Sequence, residues 1–172
     1  MSELKLPVVG KFERVSVARF AADFAEAFPD VDVAAASAAV RLPARATVGS
    51  AGYDFVLPCD VTLAPGQTAK IPTGIRAKIA PGWVLCVFPR SGLGFKFRLQ
   101  LDNTVGIIDS DYYGSDNEGH IFIKITNDGK AGKTLSLKAG DGFAQGIFLP
   151  FGVTENDDTT AVRNGGLGST SK

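Results

Sequence analysis

Five short stretches of this chain place groups that can bind or hydrolyse a phosphate ester beside turns. Pro89-Arg90-Ser91-Gly92-Leu93-Gly94 follows an apolar run. Its arginine is a forked donor, its serine brings a hydroxyl, and its glycines let backbone N–H groups approach an anion. Gly106-Ile107-Ile108-Asp109-Ser110-Asp111-Tyr112-Tyr113-Gly114 sets two carboxylates and two tyrosines beside an apolar strand end. An aspartate there serves either as a general base toward water or simply as a turn-former. Ala51-Gly52-Tyr53-Asp54 puts a further carboxylate at a strand start, a ligand type suited to Mg²⁺ directly or through its waters. Gly140-Asp141-Gly142-Phe143-Ala144-Gln145 reads as a turn entering a strand, with an amide able to donate to an oxyanion. Near the C-terminus, Arg163-Asn164-Gly165-Gly166-Leu167-Gly168-Ser169-Thr170 combines an arginine, glycines and hydroxyls into a second phosphate grip. Taken singly each stretch is weak, since surface arginines and turn aspartates are common.

The rest of the composition narrows the chemistry. Lys plus Arg and Asp plus Glu number 18 each, so the chain lacks the global basic field of a non-specific nucleic-acid binder, and an anion must be held by a few local groups. The single histidine, His120, makes a histidine-based triad unfavourable, and with Cys59 and Cys86 it does not make a convincing zinc set. The two cysteines lie in apolar contexts and read as buried free thiols in a reducing compartment. No apolar run approaches a membrane span, and MSELKLPVVGK lacks the hydrophobic region of a signal peptide. The expectation is a soluble cytoplasmic protein with no membrane and no nucleic-acid partner.

These groups need a scaffold, and 172 residues with 45% apolar content suffice for one domain with a real core. From Val40 onward the pattern is all-β, with strands expected at 53–57, 68–71, 74–79, 83–88, 98–102, 120–126, 134–138 and 143–149. Turns at Ala64-Pro65-Gly66, Ala80-Pro81-Gly82, Asn127-Asp128-Gly129 and Ala139-Gly140-Asp141-Gly142 separate them. Many short strands of this kind suggest a closed sandwich or jelly roll. Residues 1–40 form a different region. Phe20, Phe24 and Phe28 recur every four residues with Val17 expected on the same side, Ser16 as N-cap and Pro29 as stop. This stripe reads as packing against the main domain, with a partner-binding helix as the sharper alternative. The alanine-rich 31–39 is ambiguous. Residues 153–172 are polar and glycine-rich and read as a mobile tail.

The joint order of the motifs is far more specific than any one of them. Over residues 41–172 the chain resembles the trimeric dUTPase family. The first family motif is matched by Ala51-Gly52-Tyr53-Asp54-Phe55, the second by Pro89-Arg90-Ser91-Gly92-Leu93, and the third by Asn103 and Gly106-Ile107-Ile108-Asp109-Ser110-Asp111-Tyr112. The fourth is matched by Gly140-Asp141 and Ala144-Gln145, the fifth by Arg163, Gly165-Gly166 and Gly168-Ser169-Thr170. The resemblance implies an all-β jelly-roll barrel or sandwich with a short, partly helical N-terminal extension, organised as 1–40, a β domain at 41–152, and a glycine-rich tail at 153–172 closing over the site. It implies a homotrimer with active sites shared between subunits, and Mg²⁺-dependent hydrolysis of dUTP to dUMP and pyrophosphate. That reaction removes dUTP from the DNA precursor pool and supplies dUMP for dTMP synthesis.

Residue by residue, Asp109 matches the group that activates water and Tyr112 the residue under the deoxyribose. Asn103 and Gly106 match the hairpin that reads uracil. Arg90, Ser91, Gly92 and Gln145 match phosphate-binding positions, and Asp54 the acid linked to the Mg²⁺ water network. Arg163, Leu167, Gly168, Ser169 and Thr170 fall in the tail that covers the substrate.

Four features depart from the family pattern. Leu167 stands where an aromatic residue usually stacks on uracil, and Gly142 where the fourth motif often has arginine. The spacing from Arg163 to the glycines is a residue shorter than in many members, and 115–119 resembles a slight insertion beside the third motif. Two other readings stay open at this point. One is a dCTP deaminase of the same fold, disfavoured because the second motif continues Gly92-Leu93-Gly94-Phe95. The other is a non-catalytic nucleotide-sensing or interaction protein.

Overall fold

The computed structural model describes residues 6–129 and 132–161. Its main sheet has five strands in the order β2 (Ala44–Arg45), β3 (Tyr53–Val56), β12 (Gly142–Pro150), β7 (Trp83–Pro89) and β9 (Gly106–Ile108). A three-stranded sheet orders β5 (Thr68–Pro72), β10 (Phe122–Asn127) and β8 (Leu99–Leu101), and two pairs join β11 (Leu135–Leu137) to β4 (Val61–Leu63) and β1 (Gly10–Arg14) to β6 (Ile75–Ile79). Every one of these pairings is antiparallel. The result is the expected jelly-roll sandwich. The barrel form is not adopted, because each sheet ends in open edges rather than closing on itself.

Alternation explains most of the strands. In β10, Ile123 and Ile125 point inward and Lys124 outward; in β6, Ile75, Ala77 and Ile79 point inward. Phe55, Leu57, Ile71, Leu85, Leu99, Ile121, Leu135 and Phe143 complete the centre of the core. Asn127, at the end of β10, is fully buried but satisfied. Its amide donates to the carbonyls of Leu63 and Lys133 at 2.9 Å each, and its carbonyl accepts from the Gly129 N–H at 3.2 Å. The expected turn at Asn127 is thereby also a pin between strands.

The N-terminal region is built into this body. The phenylalanine stripe forms α1 (Val17–Ala27), capped by the Ser16 hydroxyl, which accepts from the Arg19 N–H at 3.1 Å, and ending at Phe28 before Pro29. Phe20 and Phe24 are buried and stack at 5.2 Å between centroids, with Phe28 stacked on Phe24 at 5.1 Å. Val17 does not join them: it is 73% exposed, because it is the first helical residue and the stripe meets the core one turn later. The alanine-rich stretch resolves into α2 (Val33–Ala39), capped by Asp32. Ahead of both helices, β1 adds a strand to β6 that the pattern of Gly10–Arg14 does not announce. No helix among the described residues is long and apolar enough to cross a membrane.

Candidate active site

Strand register gathers three of the motifs on one side of the main sheet. Gln145 of β12 pairs with Asp54 of β3 on one flank and with Phe88 of β7 on the other, so Asp54, Gln145 and the end of β7 stand in one row. The register of β12 against β3 shifts between Gly142 and Ala144, a β-bulge that re-aims the strand where the fourth motif enters it. Immediately after β7 the chain turns into α3 (Ser91–Phe97), whose first N–H groups, those of Ser91 and Gly92, lie at the same end.

The outcome is an open cleft of about 700 Å³ lined by Ala51, Asp54, Arg90, Ser91, Gly92 and Gln145 among others. Arg90 is its organising cation. Its Nε lies 3.3 Å from the Asp54 carboxylate, and its Nη1 donates to the Gly142 carbonyl at 3.2 Å. Gln145 is oriented in turn, its amide donating to the Pro89 carbonyl at 3.1 Å. Two glycines make room for these side chains. A Cβ on Gly142 would lie 2.4 Å from Arg90 Nη1, and one on Gly52 would lie 2.5 Å from Gln145 Oε1. The departure at Gly142 therefore has a local reason: the space beside that backbone holds the guanidinium of Arg90. Arg45 stabilises the cleft wall, donating to the carbonyls of Val48 and Ser50 at 2.8 and 3.1 Å. Asp141 is the turn-former, accepting from the Lys138 N–H at 2.8 Å next to Gly140, whose φ of +88° suits glycine.

The third motif lies apart from this cleft. Asn103 and Gly106 line a separate cavity of about 170 Å³ with Leu101, Ile108, Phe122 and Lys124. Asp109 follows β9 and immediately precedes a short 3₁₀ turn, Ser110–Gly114, its backbone carbonyl accepting the Tyr112 N–H at 3.2 Å; it is half-buried. Its charge is felt on β7, where burial first and Asp109 second push the Cys86 thiol up from its ordinary value. Cys59 is pushed up to about 11, mainly by burial, so both free cysteines are held as buried thiols. Tyr112 is 7% exposed; its hydroxyl donates to the His120 carbonyl at 2.7 Å and accepts from the Asn117 amide at 2.7 Å.

The structure thus brings Asp54, Arg90, Ser91, Gly92 and Gln145 together in one cleft, and Asn103 and Gly106 in another cavity. Asp109 and Tyr112 are among the lining residues of neither. Arg163, Leu167, Gly168, Ser169 and Thr170 lie outside the described residues. Sequence reasoning missed the Arg90–Asp54 pair and the role of His120. The pair joins residues 36 positions apart (54 to 90) and is set only by strand register. His120 carried one available signal, its place in a strongly alternating strand region.

Among the described residues no group of three or more histidine, cysteine or acidic side chains gathers to cage a metal. Two carboxylates line the cleft, Asp54 beside Arg90 and Asp141, whose Oδ2 accepts the Lys138 N–H in its turn. This donor set fits a Mg²⁺ ion that keeps most of its waters and is held largely by substrate phosphates.

The family model for dUTPase matches residues 38–171. The deoxyuridine 5'-triphosphate nucleotidohydrolase of Lactococcus lactis subsp. lactis (strain IL1403) is 40% identical over 137 residues, covering 78% of this chain and 90% of that protein. Among solved structures, dUTPase from Streptococcus mutans superposes with a TM-score of 0.63 at 33% identity, covering 84% of this chain and 98% of that one. A mutant dUTPase from phage phi11 of S. aureus, described for its coordination of a structural Mg(II) ion, gives a TM-score of 0.59 at 26% identity, covering 74% of this chain and 94% of that one.

Proposed function

The chain belongs to the dUTPase family, and on that premise we propose how its residues hydrolyse dUTP to dUMP and pyrophosphate. The observation that carries the site assignment is the convergence of Asp54, Arg90, Ser91, Gly92 and Gln145 on one cleft from three separate motifs. Arg90, Ser91, the Gly92 backbone and Gln145 hold the triphosphate. Arg90 arrives already aimed by Asp54 and the Gly142 carbonyl, so little orientation is lost on binding. Asn103 and the Gly106 backbone read uracil through its polar edge, rejecting cytosine by hydrogen-bond mismatch and thymine by its methyl group. Tyr112 packs beneath the deoxyribose and leaves no room for a 2'-hydroxyl. Arg163, Leu167, Gly168, Ser169 and Thr170 cover base and phosphates.

Asp109 takes a proton from water as the water oxygen attacks the α-phosphorus in line. The bond from that phosphorus to the oxygen bridging to the β-phosphate breaks, and pyrophosphate leaves. A positioned base of this kind contributes about 10²–10⁴-fold. Asp54 would help hold a Mg²⁺ ion at the cleft, and the ion would supply positive charge against the pyrophosphate as it leaves. The reaction removes dUTP from DNA precursors and supplies dUMP for dTMP synthesis, in the cytoplasm or, for a viral chain, that of its host.

The active unit is a homotrimer whose sites are shared between subunits. In support, the phosphate-binding cleft and the uracil cavity are distinct in one chain, each carrying part of the motif set. Phe95 on α3, Ile107 on β9, Leu149 on β12 and Phe151 just after it are large apolar side chains left exposed on a single chain, surface that an assembly covers. Incubation with dUTP and Mg²⁺ is expected to release pyrophosphate, and no release above background would overturn the reading. Ammonia release from dCTP would assign the chain to deamination instead.

A further inference from the structure

The family match begins at residue 38, so β1, α1 and most of α2 precede it. They are not merely attached. Three residues of this segment each grip the stretch that follows the third motif.

Asp23 of α1 is the deepest of them. It is 8% exposed, ion-paired through both oxygens with Arg19, and its Oδ2 lies 2.5 Å from Nδ1 of His120. His120 is 0% exposed, and its Nε2 accepts the Gly74 N–H at 2.8 Å. That bond leaves the ring proton on Nδ1, which donates to Asp23. The backbone carbonyl of the same histidine accepts the Tyr112 hydroxyl at 2.7 Å. One residue thus holds α1 with its side chain and Tyr112 with its main chain.

The second grip is at Glu118, which has a left-handed backbone (φ +60°), an uncommon state for a residue with a side chain. Its carboxylate accepts from the Ser16 N–H at 2.7 Å and the Ser16 hydroxyl at 2.6 Å, so the residue that caps α1 is itself held by the insertion. The third is Glu13 of β1, which accepts the Tyr113 hydroxyl at 2.5 Å and lies 3.3 Å from Arg76. Between these grips, Gly119 passes so close to the tyrosines that a Cβ there would meet Tyr113 Cα at 2.7 Å and the Tyr112 carbonyl at 2.8 Å. The stretch has no slack to absorb a shift.

We infer that the N-terminal segment is a positioning element for Tyr112, acting chiefly through Asp23 and His120, and that it sets how strictly a ribose 2'-hydroxyl is rejected. The inference rests on the reading of Tyr112 as the residue beneath the sugar. Without Asp23, the Nδ1–H of His120 is left unsatisfied in a fully buried site, and the histidine shifts to recover a partner. Its carbonyl shifts with it, and the tyrosine hydroxyl loses the acceptor that fixes its direction, keeping the Asn117 bond. Asp23 and His120 are positioning residues, since neither reaches the substrate.

The test measures kcat/KM for dUTP and for UTP with the full chain as wild type, Asp23→Ala, Tyr112→Phe and the double variant. Asp23→Ala leaves no oxygen to accept the His120 proton, as an asparagine would, and is expected to lower the dUTP-over-UTP ratio about fivefold, mainly through a lower KM for UTP, while kcat for dUTP changes little. The double variant is expected to lose no more selectivity than the larger single one, because both changes cut one connection. A folded Asp23→Ala with an unchanged ratio, or two losses that simply multiply, would overturn the inference. Should Asp23→Ala fail to fold, Asp23→Leu removes the acceptor while filling the space, and an unchanged ratio there overturns it equally. Tyr112→Ala separates the inference from its premise: an unchanged ratio removes the sugar reading itself, whereas a lowered ratio beside an unmoved Asp23→Ala removes the inference alone.

Discussion

The two halves of the candidate site are built by opposite means. The proposed phosphate cleft is open, and its polar side chains are aimed by neighbours in the same sheet: Asp54, the Gly142 and Pro89 carbonyls, and two glycines that leave room. The Tyr112 region is closed. Its tyrosine hydroxyl and histidine ring are buried: His120 and Asn117 hold the hydroxyl, and Gly74 holds the ring together with Asp23 of α1, a helix that precedes the family match. An anion is recognised by charge and forked hydrogen bonds, which tolerate water nearby. Excluding one hydroxyl group is a question of a few tenths of an ångström, and that demands packing.

The largest expected effect tests whether Asp109 belongs to chemistry rather than to packing. Asp109→Asn keeps the shape of the side chain and removes the base, so kcat is expected to fall by about 10²–10⁴-fold with dUTP binding retained. Single-turnover pyrophosphate release beside a dUTP titration reads both quantities, and near-normal turnover would remove Asp109 as the base. Next in size is Gly142→Ala on the cleft side. The new methyl displaces the guanidinium of Arg90, which lies at the flexible end of its side chain, so the fold survives while the carbonyl and Asp54 contacts are lost. A charged hydrogen bond is worth about 1.5–3 kcal/mol, so kcat/KM for dUTP is expected to fall roughly tenfold or more with the melting temperature nearly unchanged. A loss of stability with unaltered kinetics would show that the cleft is held by packing like its counterpart.

The contrast also explains what was readable before any coordinates. The phosphate side is written in contiguous runs, so Arg90, Ser91 and Gly92 and their place after an apolar strand are legible at once. The strands that alternate over five or more residues, β6 and β10 among them, are legible for the same reason. β2, β4 and β9 have only two or three residues each, too few for a period of two to register. β1 has a single inward phenylalanine with β-edge pairing, which no local pattern marks. Val17 sits at helical spacing yet faces solvent, since periodicity fixes an angle around the helix but not where along its length the core begins. His120 reads as one more residue of a strand, because the carboxylate that gives it meaning is 97 residues away.

A smaller effect is expected at Leu167. Leu167→Phe restores an aromatic face for uracil, and base stacking in single-strand binders is worth about 1–3 kcal/mol, of which an exchange from leucine recovers a part. The KM for dUTP is expected to fall a few-fold with kcat unchanged. An unaltered KM would mean that Leu167 is not over the base.

The smallest effect is a pH dependence of stability arising from the closed half. Burial holds the His120 pKa below its ordinary value of about 6.5, outweighing the Asp23 hydrogen bond that pulls it up, while Arg19 lowers it and Glu118 raises it slightly. Below about 6.5 the unfolded chain takes up a proton that the folded chain refuses, so the unfolded state binds more protons and stability falls as pH falls. The slope approaches at most about 1.4 kcal/mol per pH unit. Carboxylates contribute with the same sign but lower down. Glu13 is held down to about 2, first by its hydrogen bond from Lys11 and then by that from Tyr113, and Asp60, Asp102 and Glu118 are also lowered. Their stabilisation is complete above the unfolded carboxylate range near 4 and is lost only as pH drops through and below it. With a single histidine in the chain, the window between pH 7.5 and 5.5 therefore reports on His120. Urea midpoints are expected to fall across that window in the wild type and to stay level in His120→Gln, whose amide can still accept from Gly74 and donate to Asp23. A level wild-type profile would mean that the Asp23 hydrogen bond balances burial, and midpoints that rise as pH falls would mean that the closed half is held by an ionised pair rather than by a neutral ring in a packed core.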